Sequence, residues 1–376
     1  MNEFLHAHAS GRDAAGLLRD ALTQLGTVPE NANLGFLYFS DGLQGDLPDL
    51  LLALRDQTGV QDWVGSVGQG ILATGIESYD TPALSILIGS FPTDSYRLLA
   101  PLTTLEQAHN LGDWAQRSLA HTGVVHVDPN NQIAGDILVS LEQRVEGGFF
   151  VGGMSSAEHG NQQVFADAVV DGGVSGVVFR GDLPVVAAHT QGCTPIGPLH
   201  HITEGRRNIL FRLDERPALD VLTEDISHSQ LKEAQKLSHA FLAGFPVPGS
   251  DTGDYMARNL MGVDRDNRLV AVGEMLDAHQ QIQFCLRDPE TARADLVRML
   301  EDLKLRIEGR PIRGGLYFSC LGRGRHQFGP NSAEMQIIEE VLGPVPLAGF
   351  YANGEIYHSR LYGYTGVMLL FLGENA

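Results

Sequence analysis

The chain has 376 residues, 43% of them apolar and 19% charged, with 46 acidic side chains against 26 basic ones. A formal charge of −20 excludes a nucleic-acid backbone or an anionic membrane as partner, because such binders concentrate Lys and Arg to displace counterions. No apolar run is long enough to span a bilayer and Met1 to Ser10 has no basic-then-apolar leader pattern, so a cytoplasmic protein is expected.

Taken in order, Ala14, Leu17, Leu18, Ala21, Leu22 and Leu25 form a helical stripe with Ser10 as expected cap and Gly26 as stop. Leu34 to Phe39 reads as a buried strand, Leu47-Pro48 opens a second helix, and Trp63 to Gly70 is a strand running into a glycine-rich turn before the strand Ala83 to Gly89. A helix around Leu105 to Leu119, the strand Val124 to Asp128, a helix around Ile133 to Leu141 and the strand Phe149 to Ser156 follow. Asp171-Gly172-Gly173 and Gly181-Asp182 separate β-branched runs and predict hairpins between Val164 and His189. Gly192 to Pro198 reads as a rigid crossing at a domain junction. Asn208 to Leu213 is the next strand, and helices are expected around Leu219 to Ile226 and Leu231 to Phe241. Arg268 to Met275 and Gln281 to Leu286 read as an antiparallel pair, and Asp288-Pro289 caps a long amphipathic helix. The alternation predicts a mixed α/β (α+β) fold, and the length predicts two domains, possibly three subdomains.

That last helix delivers the chain to Gly314 to Gly329, an apolar run that ends in glycines and cations. Strand ends of this kind form ligand sites at the mouths of sheets. Cys320, Arg323, Arg325 and His326 fall within seven residues, and Tyr351, Asn353 and Glu355 follow the next strand. An Arg fork holds a carboxylate and a Glu holds an ammonium, so Arg323 and Glu355 suit an amino-acid ligand; pairing with each other is the alternative. Cys320 beside cations and His326 is a candidate nucleophile, with simple packing as its alternative. Cys193, Cys285 and Cys320 are odd in number and widely spaced, so no disulfide framework, metal or cofactor is expected. His200-His201 and Ser155-Ser156 with His159 are weaker signals, and Asp264 to Asn267 reads as a hairpin turn rather than a calcium loop.

The two ends of the chain echo each other. Leu37 to Ser40 repeats as Leu316 to Ser319, Gly65 and Gly70 correspond to Gly349 and Gly354, and Gly89 corresponds to Gly373. The echo predicts an internal duplication of a strand-helix-strand unit.

LYFSCLGRG from Leu316, AGFYANGEI from Ala348 and YGYTG from Tyr362 resemble the C-terminal half of the FIST proteins (F-box and intracellular signal transduction). VGSVGQG from Val64, IESYDTPALSIL from Ile76, VGGMSSAEHG from Val151, QGCTPIGPLHHIT from Gln191 and LDERPALDVL from Leu213 resemble the N-terminal half. The resemblance implies an N-terminal FIST domain over 1–215 and a C-terminal FIST domain over 216–376, together forming a sensory module that binds small ligands such as amino acids or related carboxylates. An output would then pass to a signalling partner in trans. Where the family commonly has Cys and Glu in the first glycine turn, this chain has Ser66 and Gln69, which join the implied ligand set; Tyr362 stands where a His is frequent. A cysteine-dependent hydrolase or transferase using Cys320 and His326, and a pure interaction module, are the competing classes.

Overall fold

A computed structural model of the chain describes residues 4–109, 120–145, 148–228, 241–247, 254–276 and 280–374. They fall into two compact units, one of Met1–Thr190, Asp295–Leu361 and Thr365–Ala376, the other of Gln191–Ala294 with Tyr362–Tyr364. The chain thus leaves the first unit at Thr190, immediately before Gly192 to Pro198, and returns along the helix Pro289–Ile307. Helices and strands mix throughout, as the alternation predicts.

The first unit is built from three copies of one module. The first runs Leu34–Ser40, helix Leu47–Thr58, Asp62–Gly68, a short hairpin Gly70–Ala73 and Ile76–Tyr79, then Ala83–Gly89. The second runs Ala120–Val127, helix Ala134–Glu142, Phe149–Met154, hairpin Gln163–Phe165 and Ala168–Val170, then Val174–Arg180. The third runs Ile312–Cys320, helix Ala333–Leu342, Leu347–Ala352, hairpin Glu355–Tyr357 and Arg360–Tyr362, then Thr365–Leu372. In each the first two long strands pair parallel and the first and last pair antiparallel.

The hairpins are exchanged in a ring. That of the second module extends the first module's sheet at Asp62–Gly68, that of the third extends the second's at Phe149–Met154, and that of the first extends the third's at Leu347–Ala352. Three six-stranded sheets result, each closed at its other edge by Leu5–Ser10, Tyr96–Leu102 or Val185–Gln191. Because every module completes a neighbour's sheet, none can bury its strand edges alone. The three first strands meet in the core, where Tyr38, His126 and Phe318 are fully buried with ring centroids 5.5, 5.8 and 6.4 Å apart.

Glycine fixes the register. A Cβ on Gly65, Gly152 or Gly349 would lie 1.8 Å from the carbonyl oxygen of Leu37, Val125 or Tyr317 on the parallel neighbour, so only glycine lets these backbones approach. Leu37, Val125 and Tyr317 are therefore equivalent. The Leu37 to Ser40 echo at Leu316 to Ser319 is one residue out of step with this equivalence, although the matched glycines are in step.

The second unit is a closed antiparallel barrel. Its strands pair in the cycle Gln281–Arg287, His200–Arg206, Ile209–Leu213, Leu269–Val272, Tyr255–Asp264, Phe241–Pro246 and back to Gln281–Arg287. Leu210, Leu213, Ala243, Phe245, Val270, Ile282 and Phe284 are buried in its interior together with Val221 and Leu222 of the helix Ala218–His228.

Several local expectations change. Asp13, not Ser10, caps the first helix, its Oδ1 accepting from Gly16 N at 2.8 Å, and Ser10 ends an edge strand. The turns at Asp171 to Gly173 and Gly181-Asp182 join strands of different sheets, so neither closes a hairpin. Leu269–Val272 and Gln281–Arg287 do not pair with each other; barrel closure gives each other neighbours. The helix from Leu105 is described to His109, and the one expected from Leu231 lies outside the described residues up to Phe241, which opens a strand. Asp264 to Asn267 is a turn closed by Asp264 on the Asn267 N–H at 3.0 Å.

Candidate functional site

The parallel strands of all three modules send their carboxyl ends to one cavity of about 240 Å³, lined by Asp41, Gln69, Gly70, Tyr79, Asp80, Glu158, Leu321, Arg325 and His326. Asp41 follows Leu34–Ser40, Gln69 follows Asp62–Gly68, Glu158 lies beyond Phe149–Met154 and Leu321 follows Ile312–Cys320. Such ends are where open α/β sheets place ligands. Tyr79 and Asp80 arrive with the exchanged hairpin of the first module. Arg325 stacks on the Tyr79 ring at 4.4 Å and forms an ion pair with Asp80, which holds the Asp80 carboxyl below its usual range.

Behind this cavity the third module carries a buried charge network. Arg323 and Glu334 are both fully buried and paired at 2.8 Å, with Arg323 Nε also donating to Glu334 at 2.9 Å. Glu334 further accepts from Tyr317 Oη at 2.7 Å, Ser319 Oγ at 3.0 Å and the Gly324 N–H at 2.9 Å. Burial alone would lower the Arg323 pKa, but Glu334 carries it above its usual value. The ion-pair partner of Arg323 is thus Glu334, not Glu355, and the guanidinium also lies 4.9 Å from the Phe328 ring. Glu77 of the exchanged hairpin caps the helix Ala333–Leu342, accepting from the Glu334 N–H at 3.0 Å.

Glu355 is fully buried, and burial pushes its carboxyl up to about 8. One oxygen, Oε2, accepts from the Thr365 N–H at 3.1 Å and Thr365 Oγ1 at 2.7 Å. The other, Oε1, has no hydrogen-bond partner, and neither does Arg323 Nη1. Cys320 is half-buried beside Glu355, whose carboxyl it helps to lower against the effect of burial. His326 is exposed beside the cavity, its backbone N–H on the Arg323 carbonyl at 3.1 Å.

The other expected residues are placed as follows. Tyr351 is buried, stacks on Tyr79 at 5.2 Å and reaches Glu334 at 3.4 Å, so it belongs to the network. Asn353 is exposed in its turn, its backbone N–H on the Met154 carbonyl. Ser66 is fully buried and bonded to Ser155 Oγ at 2.8 Å, while Gln69 is exposed and lines the cavity. Ser156 donates to the Tyr351 carbonyl and accepts from the Gln69 N–H at 3.0 Å, tying the three strand ends together. His200 lies not at this site but in the barrel, between Asp214 at 2.6 Å and Asp225 at 2.9 Å; His201 is exposed.

Sequence reading missed Asp41, Tyr79, Asp80 and Glu158. They come from chain positions far from Arg325; Tyr79 and Asp80 reach it through hairpin exchange, and Asp41 and Glu158 from the strand ends of the other two modules. Asp41, Glu158 and His159 also bring one donor atom each within 4.8 Å of one another, a geometry that can accept a cation. No helix among the described residues is long and apolar enough to cross a membrane.

The described residues thus hold a triplicated α/β unit with a polar cavity at its strand ends, and a separate antiparallel barrel. The FIST N domain matches residues 33–216 and the FIST C domain residues 218–358, so the chain belongs to the FIST family, whose domains are sensory domains of signal transduction. Two uncharacterized proteins of Mycobacterium tuberculosis are 31% identical over 337 residues, 86% of this chain and 87% of theirs. An uncharacterized protein of Mycobacterium bovis is 30% identical over 383 residues, 98% of this chain and 96% of its own.

Proposed function

We propose that this protein is a cytosolic sensor of a small zwitterion, an amino acid or a closely related carboxylate, and that it signals through a protein partner in trans. The observation that carries the reading is the composition of the strand-end cavity. One cation, Arg325, the His326 ring and three carboxylates, those of Asp41, Asp80 and Glu158, line a space of about 240 Å³. A ligand carboxylate would compete with Asp80 for the Arg325 fork, and its ammonium would be held by the remaining acidic groups. Gln69 supplies an amide, and Tyr79 a ring face. Arg323 and Tyr351 brace the loop through Glu334, whereas Cys320, Glu355, Ser66 and Asn353 do not line the cavity.

Thermal-shift measurements with the standard amino acids and small carboxylates test the assignment. Stabilisation by a subset is expected, with the affinity for that subset falling about 10- to 100-fold in Arg325→Ala, the worth of a charge-assisted hydrogen bond. Stabilisation that survives unchanged in both Arg325→Ala and Glu158→Ala would sink the site.

A further inference from the structure

Cys320, Arg323 and Glu355 share one neighbourhood. The Arg323 backbone N–H donates to the Cys320 carbonyl at 2.8 Å, closing a turn at the strand end, and the Cys320 side chain neighbours the Glu355 carboxyl. Arg323 and Glu355 are both fully buried, yet the guanidinium Nη1 and the carboxyl Oε1 have no hydrogen-bond partner, while Nη2 meets Glu334 only as an ion pair at 2.8 Å. Buried groups of this kind are almost always paired, so the two unmet atoms call for a third group. The other cysteines lack this setting. Cys285 is fully buried in the barrel with its thiol pushed up to about 12 by burial, and Cys193 is buried beside it.

We propose that Cys320 is a modification site, oxidised by hydroperoxides to a sulfenic acid whose single hydroxyl is held between Arg323 Nη1 and Glu355 Oε1. In the reaction the thiol sulfur attacks one peroxide oxygen. The S–O bond forms as the O–O bond breaks, and the departing oxygen leaves as water, or as an alcohol from an organic peroxide, carrying the thiol proton. Sulfur is oxidised and the peroxide reduced, with no other reactant. The new oxygen accepts from Nη1–H and shares one hydrogen with Oε1, taking the carboxyl proton while Glu355 is neutral and donating its own once Glu355 is ionised, so one group meets both unmet atoms. Half-burial gives peroxide access while the buried carboxyl and guanidinium shield the product. The inference does not depend on what the strand-end cavity binds.

The full-length protein is treated with hydrogen peroxide, and each cysteine is followed by peptide mass spectrometry after dimedone trapping; in parallel, alkylation by iodoacetamide reports simple access. The expected result is selective dimedone adduct at Cys320. In Glu355→Ala, peroxide oxidation of Cys320 slows about fivefold or more, the effect of one lost hydrogen bond, while alkylation does not slow. Equal oxidation of Cys193, Cys285 and Cys320 in the unmodified sequence overturns the proposal without any variant. So does a fall in oxidation matched by an equal fall in alkylation, which would reduce the effect to exposure.

Discussion

Gln163 and Glu355 hold the same register position in two modules, opposite Ser66 and Gly153, which in turn lie beside Tyr38 and His126 of the core. Both are fully buried. Gln163 is satisfied at both ends: Ser175 Oγ donates to its Oε1 at 2.5 Å, and its Nε2 donates to the Gly173 carbonyl at 3.2 Å. Glu355 spends one oxygen on Thr365 and leaves the other unmet. The third equivalent, Ile71, opposite Phe350, is apolar and asks for nothing. One position, three solutions: the second module uses it as a polar strut and the first as packing, whereas the third keeps an unmet carboxyl beside a thiol and an arginine. Triplication supplied the scaffold, and the chemistry was concentrated in one copy.

The largest expected effect comes from the network that isolates that copy. Arg323→Ala leaves Glu334 buried and uncompensated and is expected to cost about 3–5 kcal/mol, read by urea unfolding. A cost below about 1 kcal/mol would show that the network is not as closed as its geometry. Gln163→Ala, which strands the Ser175 hydroxyl, is expected to cost about 1–3 kcal/mol.

Glu355 distinguishes itself by pH. Burial raises its folded-state carboxyl to about 8 from an ordinary value of 4.5, so the native state holds a proton that the unfolded chain releases. Stability is full below about 4.5 and declines as pH rises toward about 8, where the native group finally ionises. Glu355→Gln should flatten that decline and Gln163→Glu should introduce one; parallel pH profiles for the original protein and Glu355→Gln would remove the contrast.

In the barrel, burial alone would lower the His200 pKa, but Asp214 and Asp225 raise it overall. The ring's contribution is therefore present below the unfolded value of about 6.5 and lost as pH rises through the higher folded value. His200→Gln should abolish this second pH-dependent component without altering the Glu355 one. The smallest effect is expected on the surface: Asp80→Asn should leave the melting temperature unchanged, because an exposed ion pair contributes little, yet tighten binding of a carboxylate ligand by releasing Arg325.

The sequence made much of this legible, within physical limits. The matched glycines at Gly65 and Gly349 were readable because a close backbone approach admits nothing else, and the third, Gly152, hid among its neighbours Gly153 and Gly148. The second module escaped notice because His126 and Val125 share no residue string with Tyr38 and Leu37. Hairpin exchange was not readable at all: short runs such as Gly70–Ala73 carry no signal of which sheet they will join, so Tyr79 and Asp80 could not be assigned to the Arg325 loop. The loop itself stood out because its glycines and charges interrupt an apolar run. Glu334 as the partner of Arg323 was not readable, since on a helix stripe it looks like a solvated face residue until Tyr317, Ser319 and Tyr351 close over it.

The most direct test of the strand-end site is a crystal structure of protein purified rapidly from cells and never dialysed, inspected in the cavity between Arg325 and Glu158. The expected result is a bound molecule with a carboxylate on the Arg325 guanidinium and an amine near Asp41 or Glu158. A cavity filled by ordered water alone would contradict it.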